Sequence, residues 1–181
     1  MERPISSIRK IFGHLSLIYI NMYYKRSLLT PIGYLQIIAD EEGICRILFS
    51  DRKEDSTEHT TAQLLEAINQ LKHYFLGERR PFDIKLSQKG TDFQLKVWKA
   101  ICKIPFGETC SYKELAEQIH HPGASRAVGI ANNRNALPII IPCHRVIGSS
   151  GKLVGYVGDI WRKNWLLQHE KKYAYGINTL F

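Results

Sequence analysis

Three short runs of alternating apolar and polar residues stand out in the N-terminal third of the chain. Residues 23–29, 34–39 and 44–49 are rich in aromatic and branched aliphatic side chains, which is typical of strands. Pro/Gly and Asp/Gly turns separate these runs. The pattern therefore predicts an antiparallel meander.

A helix is predicted after these strands. Residues 51–60 (DRKEDSTEHT) are polar and charged, as in a loop. From Thr61 to about Gly77, apolar residues recur at the helical period, at Leu64, Leu65, Ile68, Leu71 and Phe75. Residues 82–86 could form one more strand. The N-terminal half is thus predicted as a small α+β unit, and no residue in it is a candidate for catalysis.

The second half begins with three further predicted helices. Capping-box sequences, TDFQ from Thr91 and SYKE from Ser111, mark the starts of the first two. The first helix has an apolar stripe formed by Phe93, Val97, Ala100 and Ile101. A His-Pro-Gly break at residues 121–123 separates the second helix from a third over 125–133. Two short helices joined by a glycine-containing turn match a helix-turn-helix, although many such pairs are only packed helices.

The remaining sequence predicts a buried segment, a loop and a last helix. Residues 138–142 (PIIIP) are predicted as a short buried strand or extended segment. A winding loop is predicted from Gly148, Gly151, Gly155 and Gly158. Asp159 is the predicted N-cap of a helix over 160–172. The apolar face of that helix is expected to contain Trp161, Trp165 and Leu166.

Composition and charge narrow the class of protein. The 181 residues are 44% hydrophobic and 23% charged, an ordinary mixture for one globular domain or two small ones. The formal charge is +8, and residues 86–181 carry +7 of it, with 13 basic and 6 acidic residues. A one-sided basic excess fits a polyanionic partner such as nucleic acid. Surface lysine that serves only solubility is the alternative.

The cysteines and the N-terminal segment exclude several other classes. Cys45, Cys102, Cys110 and Cys143 form no CxxC pair and no zinc-site spacing with histidine. We therefore expect no metal, no disulfide framework and a reducing, intracellular compartment. The apolar run 11–24 is interrupted by polar residues and is too short to span a bilayer. Its basic flank resembles a signal peptide, but a small-residue cleavage site is missing, so we expect neither secretion nor membrane association.

Cys143 is the candidate nucleophile, with an inert buried thiol as the alternative. The neighbouring His144 and Arg145 suggest an electropositive environment that favours a thiolate. His144 is the candidate base, yet adjacent side chains of an extended segment point to opposite faces. Either the backbone turns here or a water molecule carries the proton. Glu170, on the last predicted helix, is the candidate carboxylate that orients the imidazole.

Residues 137–147 (LPIIIPCHRVI) resemble the active-site segment of the methylated-DNA–protein-cysteine methyltransferases, also called O6-alkylguanine-DNA alkyltransferases. Four further segments follow that family in order and spacing, namely residues 90–119, 126–135 (RAVGIANNRN), 155–159 (GYVGD) and 162–170 (RKNWLLQHE). Upstream, TPIGYLQIIADEEGICRILF and LKHYFLGERRPFDI resemble the family's N-terminal domain. The resemblance covers residues 23–172.

The resemblance implies an α/β protein with two domains. Residues 22–88 are expected to form a small, ribonuclease H-like α+β domain with an antiparallel sheet. Residues 89–175 are expected to form a mainly helical, winged-helix-like domain that contains the helix-turn-helix. Residues 1–21 have no counterpart in the family and are interpreted as an extension or an upstream start.

The implied activity is a single-turnover repair reaction on double-stranded DNA. In the family, a thiolate attacks the alkyl carbon on O6 of a guanine flipped out of the duplex. The alkyl group stays on the sulfur and no cofactor is consumed; activity on O4-alkylthymine stays open. By position, Cys143 matches the nucleophile, His144 the water-mediated base and Glu170 the group that orients it.

Other site residues are implied by the same resemblance. Asn135 matches the residue that shapes the turn beneath the cysteine. Tyr112 matches the tyrosine that interacts with the N3 side of guanine. Arg126 matches the recognition-helix arginine that fills the gap left by the flipped base. The expected base-binding positions are Tyr112, Val146, Tyr156, Val157 and Gly158, with backbone hydrogen bonds from Cys143, Val146 and Val157.

The partner implied is duplex DNA that carries alkylated guanine, bound by a monomer in the cytoplasm, nucleoid or nucleus. The recognition helix is expected to enter the minor groove, where base readout is degenerate. Affinity should come mainly from phosphate contacts and fall with salt. The candidate phosphate contacts are Lys96, Lys99, Lys103 and Arg134.

Two positions depart from the family pattern. Asp159 stands where the family usually has glycine, and it either caps the last helix or adds charge near DNA. Val157 is bulkier than the usual small residue, which would narrow the pocket for bulky alkyl groups. Two other functions remain as alternatives: a sensor that flips alkylated guanine without repairing it, and a Cys/His hydrolase that turns over repeatedly. Relatives of the sensor type lack the cysteine.

Overall fold

An antiparallel sheet forms the N-terminal end of the structure, a computed structural model that describes residues 23–176. Its strands are β1 (Tyr24–Thr30), β2 (Gly33–Ala39) and β3 (Ile44–Ser50), in the order β1-β2-β3. The turn between β1 and β2 places Gly33 at φ 96°, which glycine adopts without steric cost. The meander predicted from the alternation is confirmed. The extension predicted for residues 1–21 lies outside the described residues.

Helix α1 (Ala62–Phe75) packs on this sheet. The Thr61 side chain caps its start by accepting a hydrogen bond from the Leu64 amide. Leu64 and Leu71 are buried as predicted, but Leu65 is 52% exposed, so its place on the apolar face was wrong. The strand predicted over residues 82–86 is also wrong, because within the described residues this segment forms only an isolated bridge between Leu86 and Ile44.

The first two helices of the second half begin where their capping boxes predict, and a third follows them. They are α2 (Asp92–Ile101), α3 (Tyr112–Gln118) and α4 (Ser125–Asn133). Both boxes are reciprocal, with the Thr91 and Ser111 hydroxyls capping the helices and Gln94 and Glu114 accepting from the cap amides. Helices α3 and α4 pack together, and Gly123 in the turn between them has φ 84°. This confirms the predicted pair of short helices.

Residues 138–142 do not form the predicted strand or extended segment. Pro138 and Ile141 make an isolated bridge across a tight turn, with Ile139 at φ 75°. The reason is long-range, because the side chain of Asn135 holds the turn closed, as described below. A short parallel pair follows, in which β4 (Cys110–Ser111) lies beside β5 (Val146–Ile147).

The last helix, α5 (Asp159–Tyr175), crosses the core. Gly158 occupies the N-cap position without a side-chain cap, so the prediction that Asp159 caps this helix was wrong. Trp161 was also misplaced: it is 51% exposed, whereas Leu166 is fully buried. Buried residues of the sheet, α1 and the helical half form one continuous hydrophobic core, so both halves support the same interior. No helix in the described part of the chain is long and apolar enough to cross a membrane.

Candidate active site

Cys143 lies on a sharp backbone turn that Asn135 holds in place. The Asn135 amide donates to the Ile141 carbonyl (2.9 Å), and its oxygen accepts from the Leu137 amide (3.0 Å). The Cys143 amide then donates back to the Ile141 carbonyl (2.7 Å), and a 3-10 turn follows over Cys143–Arg145. Asn135 thus shapes the turn below the cysteine, which is the role that the resemblance implies for it.

His144 lies beside Cys143 on this turn, and its imidazole points to α5. Its Nε2 lies 2.7 Å from Oε1 of Glu170, and both side chains are fully buried. Because Glu170 is ionised, Nε2 carries the proton and donates, which leaves the lone pair on Nδ1. Nδ1 is buried and has no hydrogen-bond partner among the described residues. Burial lowers the pKa of His144 despite the adjacent carboxylate, so the imidazole is neutral and able to accept a proton.

Glu170 is a buried carboxylate with an unusually complete set of donors. Burial alone would raise its pKa, but the hydrogen bonds from His144 and Arg145 and the charge of Arg145 hold the pKa well below its usual range. Arg145 donates to both oxygens, through Nε (2.9 Å) and Nη2 (3.0 Å). The Gly107 amide and the Tyr74 hydroxyl complete the set, at 3.0 and 2.9 Å. Glu170 therefore stays ionised and fixed in position.

The environment of Cys143 is less electropositive than the sequence suggests. Arg145 is directed at Glu170 and at the Ile104 carbonyl (2.6 Å). The thiol is 1% exposed, and burial raises its pKa to about 11, with smaller opposing effects from Asn135 and Lys163. The expected resting thiolate is therefore wrong. The thiol keeps its proton until a base removes it.

Lys163 is a buried cation whose charge acts on the Cys143 sulfur, and sequence reasoning missed it. Its side chain is fully buried, and its ammonium donates to the carbonyls of Val146 (2.7 Å) and Val154 (3.1 Å). Burial lowers the pKa of Lys163 to about 8, while the sulfur of Cys143 opposes this effect. Its spacing from Leu166, Leu167 and Glu170 on one face of α5 could have marked it as buried.

Two tyrosines lie close enough to Cys143 for a charge on its sulfur to raise their pKa values. Burial raises the pKa of Tyr112, and a charge on Cys143 raises it further. Tyr112 is the first residue of α3, and its hydroxyl donates to the Val154 carbonyl at 3.3 Å. Tyr156 packs on Phe49, with ring centroids 5.8 Å apart, and its buried hydroxyl has no partner among the described residues. Burial, followed by the charge on Cys143, raises the pKa of Tyr156.

The predicted base-binding loop rests on the sheet through Gly158 and Arg162. A side chain at Gly158 would lie 2.4 Å from the Phe49 ring, so only glycine fits. Asp159 has φ 67° and accepts from Arg162 (3.1 Å). Arg162 is buried, donates to the Ile32 carbonyl (2.9 Å) and pairs with Asp51. Asp159 therefore neither caps α5 nor carries an unpaired charge.

The other predicted base-binding positions differ in their exposure and in whether their backbone groups already form hydrogen bonds. Val157 is 50% exposed. Val146 is buried, and its amide donates to the Cys143 carbonyl while its own carbonyl accepts from Lys163. Only one carbonyl lone pair of Val146 thus remains for a base. Arg126 is exposed in the first turn of α4, and the candidate phosphate contacts Lys96, Lys99, Lys103 and Arg134 are all exposed as well.

Neither a disulfide nor a metal site involves these residues. All four cysteines are free thiols. Among residues 23–176, no three histidine, cysteine or acidic side chains are grouped to hold a metal ion. The arrangement as described is that of a buried thiol beside a neutral imidazole that a carboxylate orients, which suits a proton-coupled nucleophilic attack.

Comparison with known proteins gives consistent results over both halves of the chain. Residues 22–88 match the ribonuclease-like domain of 6-O-methylguanine DNA methyltransferase, and residues 92–172 match its DNA binding domain. A methylated-DNA--protein-cysteine methyltransferase of Mycobacterium tuberculosis is 47% identical over 164 residues, 88% of this chain and 99% of the relative. A Methanosarcina acetivorans protein of the same name is 47% identical over 146 residues, 78% of this chain and 94% of the relative.

Solved structures agree with these matches. The crystal structure of the M. tuberculosis O6-methylguanine methyltransferase has a TM-score of 0.75 and 45% identity, covering 84% of this chain and 94% of that one. The M. tuberculosis protein in complex with DNA has a TM-score of 0.74 and 46% identity, covering 83% and 93%. The chain belongs to the 6-O-methylguanine DNA methyltransferase family.

Proposed function

We propose that this chain repairs DNA by transferring the alkyl group of O6-alkylguanine irreversibly to Cys143, as a methylated-DNA–protein-cysteine S-methyltransferase. The observation that carries the proposal is the buried His144–Glu170 pair directly after the buried Cys143, with Nδ1 of His144 left as the unprotonated nitrogen. Family membership supplies the substrate class. Each molecule acts once, because the S–C bond that forms is not broken again.

The proton on Cys143 has a defined route. The buried thiol is protonated at neutral pH, since burial raises its pKa to about 11. We assign Nδ1 of His144 as the acceptor of that proton, through one water molecule. Glu170 then stabilises the imidazolium that forms. The sulfur attacks the alkyl carbon, and the electron pair of the carbon–O6 bond returns to the purine.

Two groups assist at the other end of the reaction. Tyr112 is assigned to donate a proton on the N3 side of the leaving guanine, so the proton lost by the thiol is balanced by one gained by the base. Burial raises the pKa of Tyr112, which keeps its hydroxyl protonated until then. The Lys163 ammonium, held by two carbonyls beside the sulfur, favours the thiolate as it develops. No cofactor is consumed.

DNA engagement is assigned to the helical half. Arg126 projects from the exposed face of α4, where it could enter the minor groove and fill the gap left by the flipped base. The flipped base would lie against Tyr156, Val157, Gly158 and the free lone pair of the Val146 carbonyl. We propose that the protein acts as a monomer where cellular DNA is found, in the cytoplasm, nucleoid or nucleus. We also propose that residues 22–88 and 89–175 are its two domains.

Mass spectrometry tests the reaction directly. The full chain is incubated with duplex DNA that contains one O6-methylguanine, and its peptides are mapped. We expect one methyl group on Cys143 and one repaired base per protein molecule. Cys143→Ala should bind the same DNA and repair none of it. The matched control, Cys102→Ala, removes an exposed thiol and should still acquire one methyl on Cys143.

The alternatives give other results. Tight binding of the methylated duplex without methylation of Cys143 would indicate a sensor. Several repaired bases per protein molecule would indicate a catalyst with turnover. Either result overturns the proposed function.

A further inference from the structure

Tyr74 reaches the buried carboxylate from the N-terminal half of the chain. Its hydroxyl donates to Oε1 of Glu170 at 2.9 Å, in a buried contact between side chains 96 positions apart. The same oxygen holds Nε2 of His144 at 2.7 Å. Of the side chains that donate to Glu170, Tyr74 is the one supplied by α1. The sequence pattern of this half indicates no candidate for catalysis.

The ring of Tyr74 is fixed so that its hydroxyl has little freedom. Tyr74 is 4% exposed, and it packs edge-on against Phe75 and Phe106, with centroids 5.3 and 6.0 Å away. Its backbone carbonyl lies 2.8 Å from Nε2 of His169 on α5. Burial and the charge of Glu170 raise the pKa of Tyr74 well above its usual value. The hydroxyl is therefore a permanent donor.

We infer that Tyr74 is a positioning residue for alkyl transfer, which acts through Glu170 to weaken the hold of the carboxylate on protonated His144. Oε1 of Glu170 also accepts from Nη2 of Arg145 at 3.0 Å, and an oxygen that accepts three hydrogen bonds offers less negative charge to each donor than an oxygen that accepts two. Tyr74 thus keeps the imidazole neutral and available as a base. The inference rests on the proposed function, because it concerns the base of that reaction.

Other titratable and charged groups face His144 and must stay constant in any test. They are Glu170, Lys163 and His169 on α5, and Cys143 and Arg145 on its own turn. Tyr74→Phe removes one oxygen and leaves these residues and the ring packing in place. It also leaves the backbone carbonyl that holds His169. His169 therefore serves as an internal reference for packing changes.

The test is an NMR titration of the histidine rings in the full, unmethylated chain. In Tyr74→Phe, the pH midpoint of His144 should rise by about half a pH unit or more, because the carboxylate oxygen now attracts the imidazolium more strongly. The midpoint of His169 should move less, because Glu170 acts on His169 through its charge and not through a hydrogen bond. Site-specific 3-fluorotyrosine at position 74, a stronger donor, should move the His144 midpoint the other way. Tyr175→Phe, which removes a surface hydrogen bond to Glu108, should move neither.

The rate of methyl transfer against pH provides a second measurement. The acid limb should move to higher pH in Tyr74→Phe, with a rate within about twofold of the wild type above both midpoints. An unchanged His144 midpoint, or equal shifts of His144 and His169, would show that Tyr74 only fills space. The titration uses no DNA. A wild-type protein that transfers no methyl group would overturn the proposed function. The shift of the His144 midpoint in Tyr74→Phe would still be measurable in that case.

Discussion

Individual buried side chains determine what chemistry Cys143 can perform. The thiol is not activated in the resting protein, because burial raises its pKa to about 11. The neighbouring His144 is kept neutral, since burial lowers its pKa more strongly than Glu170 raises it. A protonated thiol beside a neutral imidazole is a pair in which proton transfer and attack can occur together. Such a thiol is protected from unwanted oxidation until a substrate arrives.

The neutral state of His144 predicts that acid destabilises the fold. The unfolded chain binds a proton at this residue below about pH 6.5, whereas the native chain, with its lowered pKa, does not. The unfolded state therefore binds more protons, and the free energy of unfolding falls as the pH drops from 7 to 5. The low pKa of Glu170 extends the loss to more acidic pH.

Urea unfolding at several pH values measures this effect. His144→Gln should reduce the slope of unfolding free energy against pH by up to about 1.4 kcal/mol per pH unit, the value for one proton. His169, whose pKa is also lowered by burial, accounts for part of the slope that remains. His59→Gln changes an exposed loop residue and serves as the control. If His144→Gln and wild type have the same slope, His144 is not held neutral by the fold.

Short helices and their caps place the side chains around the cysteine. The capping boxes at Thr91 and Ser111 were readable from the sequence because they depend on residues three positions apart. The turn at residues 138–142 was not readable, since it is closed by the Asn135 amide and not by the local apolar pattern. Likewise Trp161 is apolar but stacks on the Arg162 guanidinium, 4.5 Å from the ring centroid, on the outer side of α5.

The two capping boxes form a matched pair for separating stability from function. Thr91→Ala and Ser111→Ala should each lower the free energy of unfolding by about 1 kcal/mol, as is typical for the loss of an N-cap side chain. Ser111→Ala should also slow methyl transfer, because Tyr112 is the first residue of the helix that Ser111 caps. Thr91→Ala should leave that rate within about twofold of wild type, since α2 carries none of the reacting groups.

Thermal or urea unfolding and single-turnover transfer rates check both variants. Equal slowing by the two substitutions would attribute the effect to general loss of stability. It would also remove the link between the α3 cap and Tyr112.

Contacts between the two halves of the molecule explain why the site was only partly predictable. Cys143, His144 and Glu170 were identified because the ordered motifs around them follow the family. Tyr74 and Arg162 were missed because their partners lie 96 and 130 positions away, at Glu170 and Ile32. A periodic apolar pattern predicts which face of α1 is buried, but it does not show what that face will meet. The N-terminal half is thus more than a scaffold, since it completes the donors of Glu170 and supports the loop at Gly158.

The charge distribution of the whole chain predicts how DNA binding responds to salt. Residues 86–181 carry +7 of the formal charge of +8, and the candidate phosphate contacts Lys96, Lys99, Lys103 and Arg134 are exposed there. Each phosphate contact that is lost should reduce the slope of log K against log salt concentration by about 0.9. The effect should be equal for methylated and unmethylated duplexes, because phosphate contacts carry no information about the lesion.

Fluorescence anisotropy with a labelled duplex between low and moderate salt measures these slopes. Substitution of each of the four residues by Gln should lower the slope, whereas Lys72→Gln, an exposed residue of α1, should not change it. Arg126→Ala should behave differently from the four: because its assigned role is to occupy the gap left by a flipped base, it should reduce the preference for the methylated duplex. A loss of slope in Lys72→Gln equal to that in Lys96→Gln would place the DNA across both halves, and would contradict a binding surface confined to the basic one.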